Sequence, residues 1–292
     1  MNIAGRIDPA GLPRVCPLVS RRANRQYGGQ MVRVVRMRDV QFGAARPVVI
    51  AGPCAIESRE QMLELAGMAK QAGADMLRGG AYKPRTSPYE FQGMGREGLE
   101  ALREAGRQTG LPVVTEVMDT RLVEQVAEYA DMIHIGSRNM QCYPLLTEVG
   151  RAGKPVLLKR GMAASLVEWL GAAEYIAKEG NLDIVLCERG IKCFPSGEYT
   201  RFSLDLTVIQ ALREETFLPV IVDPSHATGV AAMVESASRA ALEFGADGVM
   251  LDISSGRADA PAPKSDAAQA IGPEQLRRIV DFAHAHARVS EW

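Results

Sequence analysis

Cysteine is scarce in this sequence: five residues are spread over 292 positions, and no two of them form a Cys-x-x-Cys pair. An odd number of cysteines without close pairs argues against a disulfide framework and against a structural zinc module. The sequence also has no apolar run of the roughly 18 residues that a membrane span needs. Its first residues lack the basic-then-apolar order of a signal peptide. We therefore expect a cytoplasmic protein in which any functional thiol acts singly.

An excess of charge of either sign is also lacking, because 34 basic side chains balance 35 acidic ones. A net charge of −1 gives the chain no general attraction toward nucleic acid or acidic lipid, and we expect neither as a partner. A near-zero net charge of the whole chain still allows a local pocket of basic side chains. Small phosphorylated ligands therefore remain candidates.

From residue 47 onward, short runs rich in β-branched residues alternate with amphipathic segments rich in Ala, Glu, Leu and Arg. Apolar runs without polar alternation are typical of a parallel sheet buried on both faces. A doubly wound open sheet is the rival arrangement, but the G-x-G-x-x-G turn is missing after the first run. Eight strand–helix units favour an α/β fold of the TIM (β/α)8 barrel type. The runs lie at 47–52, 74–80, 112–117, 132–137, 155–160, 183–189, 219–225 and 248–254.

The first part of the chain does not share this alternation. Residues 31–42 have the pattern of two short strands, and we expect a β-hairpin that closes the N-terminal end of the barrel. We thus divide the chain into an N-terminal extension with its hairpin, residues 1–42, and a catalytic barrel, residues 43–292. Residues 254–272 are rich in Ala, Pro, Ser and Asp, which predicts a long loop over the catalytic face.

Charged side chains follow nearly every predicted strand. In barrels of this kind the functional residues lie at the carboxyl ends of the strands and in the loops that follow, which predicts a position at the rim. Any one of these cations alone could be a solvated surface charge. Six or seven of them at one mouth predict a site for one or two phosphorylated, carboxylated small molecules. The strand-end residues are Arg78, Lys83, Arg85, Glu116, Arg138, Lys159, Arg160, Glu188, Arg189 and Asp223.

A second group combines Cys54, His226 and Asp252, which follow or end the first, seventh and eighth predicted strands. These strands are neighbours when a barrel closes. A thiolate, an imidazole and a carboxylate are suitable ligands for a borderline divalent metal such as Mn, Fe, Co or Zn. The alternative for Cys54 is a small buried hydrophobic residue, which is the commoner role of a lone cysteine.

Six segments of the chain together resemble the 3-deoxy-D-arabino-heptulosonate 7-phosphate (DAHP) synthases of the type I-beta class. The resemblance runs from about residue 31 to the end, in the family's order. The related 3-deoxy-octulosonate 8-phosphate synthases share the barrel but carry a Lys-Ala-Asn-Arg type segment where this chain has KPRTS, so the four-carbon aldehyde is favoured. The segments are AGPCAIES (51–58), LRGGAYKPRTSPYEFQGMG (77–95), IGSRN (135–139), KPVLLKRG (154–161), LCERGI (186–191) and LPVIVDPSHATG (218–229).

The resemblance implies condensation of phosphoenolpyruvate with erythrose 4-phosphate and water, which gives the seven-carbon keto acid phosphate and inorganic phosphate. It also implies a divalent metal cofactor and a homo-oligomer, either a dimer or a tetramer. Matched positions imply that Cys54 and His226 bind the metal, that Asp223 lies beside the aldehyde, and that these three and Lys159 are catalytic. Substrate binding is implied for Arg78, Lys83, Arg138, Lys159 and Arg189 around phosphoenolpyruvate, and for Pro84, Arg85, Thr86 and Ser87 around erythrose 4-phosphate.

The chain departs from the family after its eighth strand. Where the family has Glu-Val-His-Pro, this chain has Asp252-Ile253-Ser254 and a longer loop. The fourth metal ligand is ambiguous, because Asp266 keeps the family's Ser-Asp pair while a second alignment would put Ile271 there. We prefer Asp266, since an extended loop can shift a ligand without losing it.

Three interpretations of this departure stay open. The first is drift in loop length with metal binding retained. The second is a paralogue with altered metal dependence or a different aldehyde, and the third is a barrel that has lost catalysis and serves as a binding partner. The intact KPRTS segment and the retained cations favour the first.

Overall fold

The computed structural model describes residues 16–21, 32–193, 201–257 and 262–286. Eight parallel strands close into a barrel, in which each strand pairs with its neighbours in sequence and the last pairs with the first. The predicted TIM barrel is confirmed. Two antiparallel hairpin strands, β1 (Val35–Met37) and β2 (Val40–Phe42), precede the barrel strands β3 (Val48–Gly52), β4 (Met76–Arg78), β5 (Val113–Glu116), β6 (Met132–Ile135), β7 (Val156–Lys159), β8 (Ile184–Glu188), β9 (Val220–Val222) and β10 (Gly248–Asp252).

Helices connect the barrel strands, and local sequence explains where they begin and end. The first begins after Ser58, whose hydroxyl accepts a hydrogen bond from the Gln61 amide, and ends at Gly73 in the left-handed conformation with φ +87°. No helix within the described ranges is long and apolar enough to cross a membrane. The helices are α1 (Arg59–Ala72), α2 (Arg96–Thr109), α3 (Val123–Tyr129), α4 (Tyr143–Arg151), α5 (Leu166–Lys178), α6 (Thr207–Glu215), α7 (Pro224–Thr228), α8 (Ala231–Glu243) and α9 (Pro273–Ala285).

The apolar core has two parts, one between the barrel and its helices and one inside the barrel. Inside, Met76 and Met132, which begin β4 and β6, pack in one cluster with Val35 and Phe42 of the hairpin. Both hairpin side chains are fully buried. The hairpin therefore closes the N-terminal end of the barrel, as predicted, and leaves the carboxyl ends of the strands for the site.

The loop after β10 is more ordered than its composition predicts. Ile253 and Ile271 form a parallel bridge, and Ala267–Gln269 form a 3₁₀ turn. This turn carries part of the loop back over the barrel mouth. Residues 258–261 of the loop, and most of the N-terminal extension, lie outside the described residues.

Candidate active site

A cavity of about 270 Å³ opens at the carboxyl ends of the barrel strands. Seven cations line it, and six of them are residues that the sequence predicts. Pro84 and Thr86 line it as well, whereas Ser87 does not, and the Ser87 hydroxyl instead accepts a hydrogen bond from the Tyr89 amide at 3.3 Å. Such a lining fits a small ligand with two or more anionic groups. The cations are Arg78, Lys83, Arg85, Arg138, Lys159, Arg189 and Arg201.

Arg78 and Lys83 are held in the cavity wall by buried partners. Arg78 ends β4 and forms an ion pair with Asp252, and both side chains are buried. Lys83 Nζ lies 3.0 Å from Cys54 Sγ. Burial lowers the pKa of each cation, but Asp252 beside Arg78, and Cys54 and Glu116 beside Lys83, outweigh that effect and raise the pKa. Both side chains therefore stay charged in the wall.

Lys159 lines the cavity from a buried position. Its side chain is only 4% exposed, because its ammonium pairs inside the barrel with the fully buried Asp223. It still lines the cavity at the carboxyl end of β7, together with the other strand-end cations. Arg160 does not line the cavity, since successive side chains of a strand point to opposite faces. It pairs instead with Glu188 at 3.0 Å and Asp205 at 2.9 Å.

The sequence reasoning missed several cavity residues, among them His134 and Arg201. His134 is 5% exposed, and its Nε2 has no hydrogen-bond partner among the described residues. Burial, followed by the charges of Lys159 and Arg78, holds its pKa well below the ordinary value, so the imidazole is neutral. The available signal was its position two residues after Met132, which places both side chains on the inner face of β6. Arg201 follows no strand pattern and offered no such signal.

The predicted metal ligands come together beside the cavity. Donor atoms of Cys54, His226 and Asp252 all lie within 4.8 Å of one another. Asp266 joins them, since its Oδ2 is 3.0 Å from Cys54 Sγ and 4.0 Å from His226 Nε2. Ile271, the alternative fourth ligand, is fully buried in the core between barrel and helices.

Asp223 contacts both the backbone amide and the ring of His226. Asp223 caps the short helix α7, and its Oδ1 accepts a hydrogen bond from the His226 amide at 2.9 Å. Its Oδ2 lies 2.9 Å from His226 Nδ1, at ion-pair distance but without the geometry of a hydrogen bond, and His226 Nε2 lies 3.6 Å from Cys54 Sγ. Burial lowers the pKa of His226, but Asp223 and Asp252 outweigh burial and raise it to about 8. The ring therefore lies between carboxylates on its Nδ1 side and the Cys54 thiol on its Nε2 side.

This donor set fits a divalent transition metal. It combines one sulfur, one imidazole nitrogen and two carboxylates, all of them mostly withdrawn from solvent. Sulfur and nitrogen donors favour Zn, Co and Fe over Mg and Ca, and carboxylates also suit Mn. The residues present are therefore chemically suitable for the cofactor that the sequence predicts.

Comparisons with known proteins agree with this geometry. The profile of the DAHP synthetase I family matches residues 25–288. The phospho-2-dehydro-3-deoxyheptonate aldolase of Thermotoga maritima is 45% identical over 250 residues, which cover 85% of this chain and 72% of that protein. The 2-dehydro-3-deoxyphosphooctonate aldolase of Syntrophotalea carbinolica is 30% identical over 269 residues, or 86% of this chain and 94% of that protein. A crystal structure of the Thermotoga maritima protein, titled as a DAHP synthase, matches with a TM-score of 0.83 and 44% identity, covering 90% of this chain and 74% of that one.

Proposed function

The chain belongs to the DAHP synthetase I family, and from that membership we propose how its cavity carries out the reaction. The enzyme joins phosphoenolpyruvate to erythrose 4-phosphate and water, and it releases DAHP and inorganic phosphate. This is the first step of the shikimate pathway to the aromatic amino acids. Both substrates are anions, which agrees with the charge of the cavity lining.

The assignment of the phosphoenolpyruvate site depends mainly on Arg189. Its side chain is buried, its guanidinium lies 4.1 Å from the centre of the Phe202 ring, and its Nη1 has no hydrogen-bond partner among the described residues. An unpartnered buried donor costs about 1–3 kcal/mol, which a bound phosphate or carboxylate would offset. Burial also lowers the pKa of Arg189, an effect that a bound anion would oppose. We assign the two anionic groups of phosphoenolpyruvate to Arg78, Lys83, Arg138, Lys159 and Arg189.

We assign the phosphate of erythrose 4-phosphate to Arg85 and Thr86, with Pro84 shaping the wall and Ser87 nearby. The Arg85 guanidinium is fixed by Glu90 and by the Ser265 hydroxyl, which lies 2.8 Å from Arg85 Nη1. It therefore keeps a set position at the mouth without a ligand.

Arg85→Ala should raise the KM for erythrose 4-phosphate by about 10–100-fold and leave the KM for phosphoenolpyruvate nearly unchanged. A charge-assisted hydrogen bond contributes about 1.5–3 kcal/mol, and each 1.4 kcal/mol is a factor of ten. Steady-state kinetics with each substrate varied in turn measures the split. Arg96→Ala is the matched control, since Arg96 pairs on an exposed helix face with Glu100. A change confined to the phosphoenolpyruvate KM would contradict this assignment.

The two substrates have to be held close together before they can react. Carbon 3 of phosphoenolpyruvate is a weak nucleophile, so the aldehyde carbon has to be held about 3–3.5 Å from it. We assign that positioning to Asp223 and to Lys159, whose ammonium can also pass a proton to the aldehyde oxygen as that oxygen becomes negatively charged. After the new carbon–carbon bond forms, water adds at carbon 2 and the phosphorylated hemiketal loses phosphate. The cavity cations stabilise the charge that collects on the leaving phosphate.

We propose that Cys54, His226, Asp252 and Asp266 hold the divalent metal, whether Mn, Fe, Co or Zn. When bound there, the metal supplies Lewis-acid polarisation of the aldehyde or activates a water. Asp223 supports this role because it accepts a hydrogen bond from the His226 amide and lies beside Nδ1, while Nε2 lies on the side of Cys54 and Asp266. Asp252 is one methylene shorter than the family's Glu, yet its carboxylate still lies within 4.8 Å of the Cys54 and His226 donor atoms.

The choice of aldehyde has a direct test. Incubation of the metal-loaded enzyme with phosphoenolpyruvate and erythrose 4-phosphate should release inorganic phosphate, while the five-carbon arabinose 5-phosphate should replace erythrose 4-phosphate poorly. The relevant feature is the KPRTS segment, of which Lys83, Pro84, Arg85 and Thr86 line the cavity. Faster turnover with arabinose 5-phosphate would contradict the four-carbon specificity. No turnover with any sugar phosphate and any metal would favour a binding protein.

We also propose a reducing, cytoplasmic location and a homo-oligomeric state. All five cysteines are free, and a thiol among the metal ligands has to stay reduced. On the outside of the barrel, Tyr143, Val167 and Tyr175 of α4 and α5 are each more than 40% exposed, and the two rings stack with centroids 4.5 Å apart. An exposed apolar surface of this kind is typical of contact between subunits.

A further inference from the structure

Gln269 connects the two carboxylates of the metal cluster. It ends the 3₁₀ turn in the loop after β10, and its side chain is 1% exposed. Its Nε2 donates a hydrogen bond to Asp252 Oδ2. Its Oε1 accepts one from Arg201 Nη1 at 2.8 Å, and the same Nη1 donates to Asp266 Oδ1 at 2.8 Å. A continuous hydrogen-bonded chain therefore runs from Asp252 through Gln269 and Arg201 to Asp266.

We propose that Gln269 is a positioning residue for the metal site, which fixes the loop ligand Asp266 relative to the strand ligand Asp252. The inference rests on the proposed assignment of the metal to these residues. Gln269 itself contributes no donor atom to the cluster. It acts through the orientation of the two carboxylates that do.

The chemistry of the two neighbours leaves a single orientation for the Gln269 amide. A carboxylate only accepts hydrogen bonds and a guanidinium only donates them, so the NH2 group must face Asp252 and the carbonyl must face Arg201. A leucine could make neither bond, and a glutamate could not donate to Asp252. An amide of this length is therefore specifically required at position 269.

A residue that connects Asp252 and Asp266 is needed because the two ligands lie in different parts of the fold. Asp252 ends a barrel strand and is fixed by sheet pairing and by its ion pair with Arg78. Asp266 lies in a loop, with a left-handed backbone at φ +55° that a non-glycine residue rarely adopts. One of its carboxylate oxygens has to point at Cys54 and His226 while the other is held elsewhere. Arg201 holds that other oxygen and Gln269 holds Arg201, so the binding geometry exists before the metal arrives.

Metal titration of the apo protein tests the inference without using activity. Isothermal titration of Gln269→Leu with Zn²⁺ should give a Kd about 10–100-fold higher than that of the unmodified protein, the usual effect of losing a partner behind a metal ligand. Gln275→Leu is the matched control, because Gln275 also donates one side-chain hydrogen bond, to the Ala231 carbonyl at 2.8 Å, but lies on α9 away from the cluster. Its Kd should not change. Unaltered Zn²⁺ affinity in folded Gln269→Leu would overturn the inference.

A second variant and a spectrum separate positioning from a general loss of stability. Gln269→Asn keeps a polar amide in the buried turn but is one methylene too short to bridge its two neighbours, so it should weaken Zn²⁺ binding as well. With Co²⁺, both variants should keep the thiolate-to-metal charge-transfer band but show altered ligand-field bands, because sulfur still binds and the carboxylates shift. A lower melting temperature with normal affinity and a normal Co²⁺ spectrum would mean that Gln269 only stabilises the loop. If Cys54→Ala leaves Zn²⁺ affinity unchanged, the metal assignment itself fails.

Discussion

Lys159→Met should lower kcat by at least about a thousandfold. The substitution removes the ammonium that we assign to both the phosphoenolpyruvate site and the aldehyde, and loss of one preorganised charge at a reacting centre typically lowers kcat by about 10²–10³. Loss of proton transfer by the same group adds to the effect. Phosphate release at saturating concentrations of both substrates measures it.

The same substitution should also lower the free energy of unfolding, by up to about 3–5 kcal/mol. Lys159 and Asp223 form a buried ion pair, and removal of one partner leaves the other charge without its counter-ion. Arg78 and His226 lie near enough to Asp223 to reduce this penalty. Urea denaturation should therefore accompany the kinetics. Lys178→Met, in the exposed last turn of α5, is the control for both measurements, and a near-normal rate in Lys159→Met would exclude its assigned role.

Cys54→Ala should abolish both metal binding and turnover. Cys54 Sγ lies within 3.6 Å of His226 Nε2 and 3.0 Å of Asp266 Oδ2, so its removal takes the central donor from the cluster. Treatment of the unmodified enzyme with a chelator should give the same loss, and adding back a divalent metal should restore only the unmodified enzyme. Elemental analysis and the phosphate-release assay follow the two effects.

The control for Cys54→Ala is Cys142→Ala. Cys142 is a half-buried free thiol before α4, outside the cluster, and its loss should change neither metal content nor rate. If turnover persists in the presence of a chelator, the reaction does not need the metal. The substrate assignments would be unaffected by that result. Normal metal content in Cys54→Ala would show that the ion binds elsewhere.

The barrel could be predicted from sequence because its signals are local and repeated. Each strand is a short apolar run and each helix is an amphipathic segment. Because the unit is repeated eight times, an error in assigning one unit does not change the predicted fold. The hairpin was also predictable, because Val35 and Met37, like Val40 and Phe42, alternate with polar residues in the manner of a half-buried strand. The strand limits differ from the predicted runs by at most three residues, as expected where strand ends merge into loops.

The site was less predictable, because strand-end position does not say which way a side chain points or how deeply it lies. Lys159 and Arg160 are adjacent in sequence, yet one faces the cavity and the other pairs with Glu188. Arg201 reaches the mouth from a loop without periodic pattern. The role of Gln269 depends on a bond to Asp252 that only the folded loop creates.

The pairing of β10 with β3 has a consequence for how the protein matures. Cys54 follows the first barrel strand and Asp252 ends the last, so the cluster cannot form until the chain has been synthesised through β10 and the ring has closed. Pairing between such distant segments is slow compared with local helix formation. Metal that binds only the closed form stabilises it by mass action. The cofactor would therefore stabilise only chains in which the barrel has closed, and it would give no support to incomplete barrels.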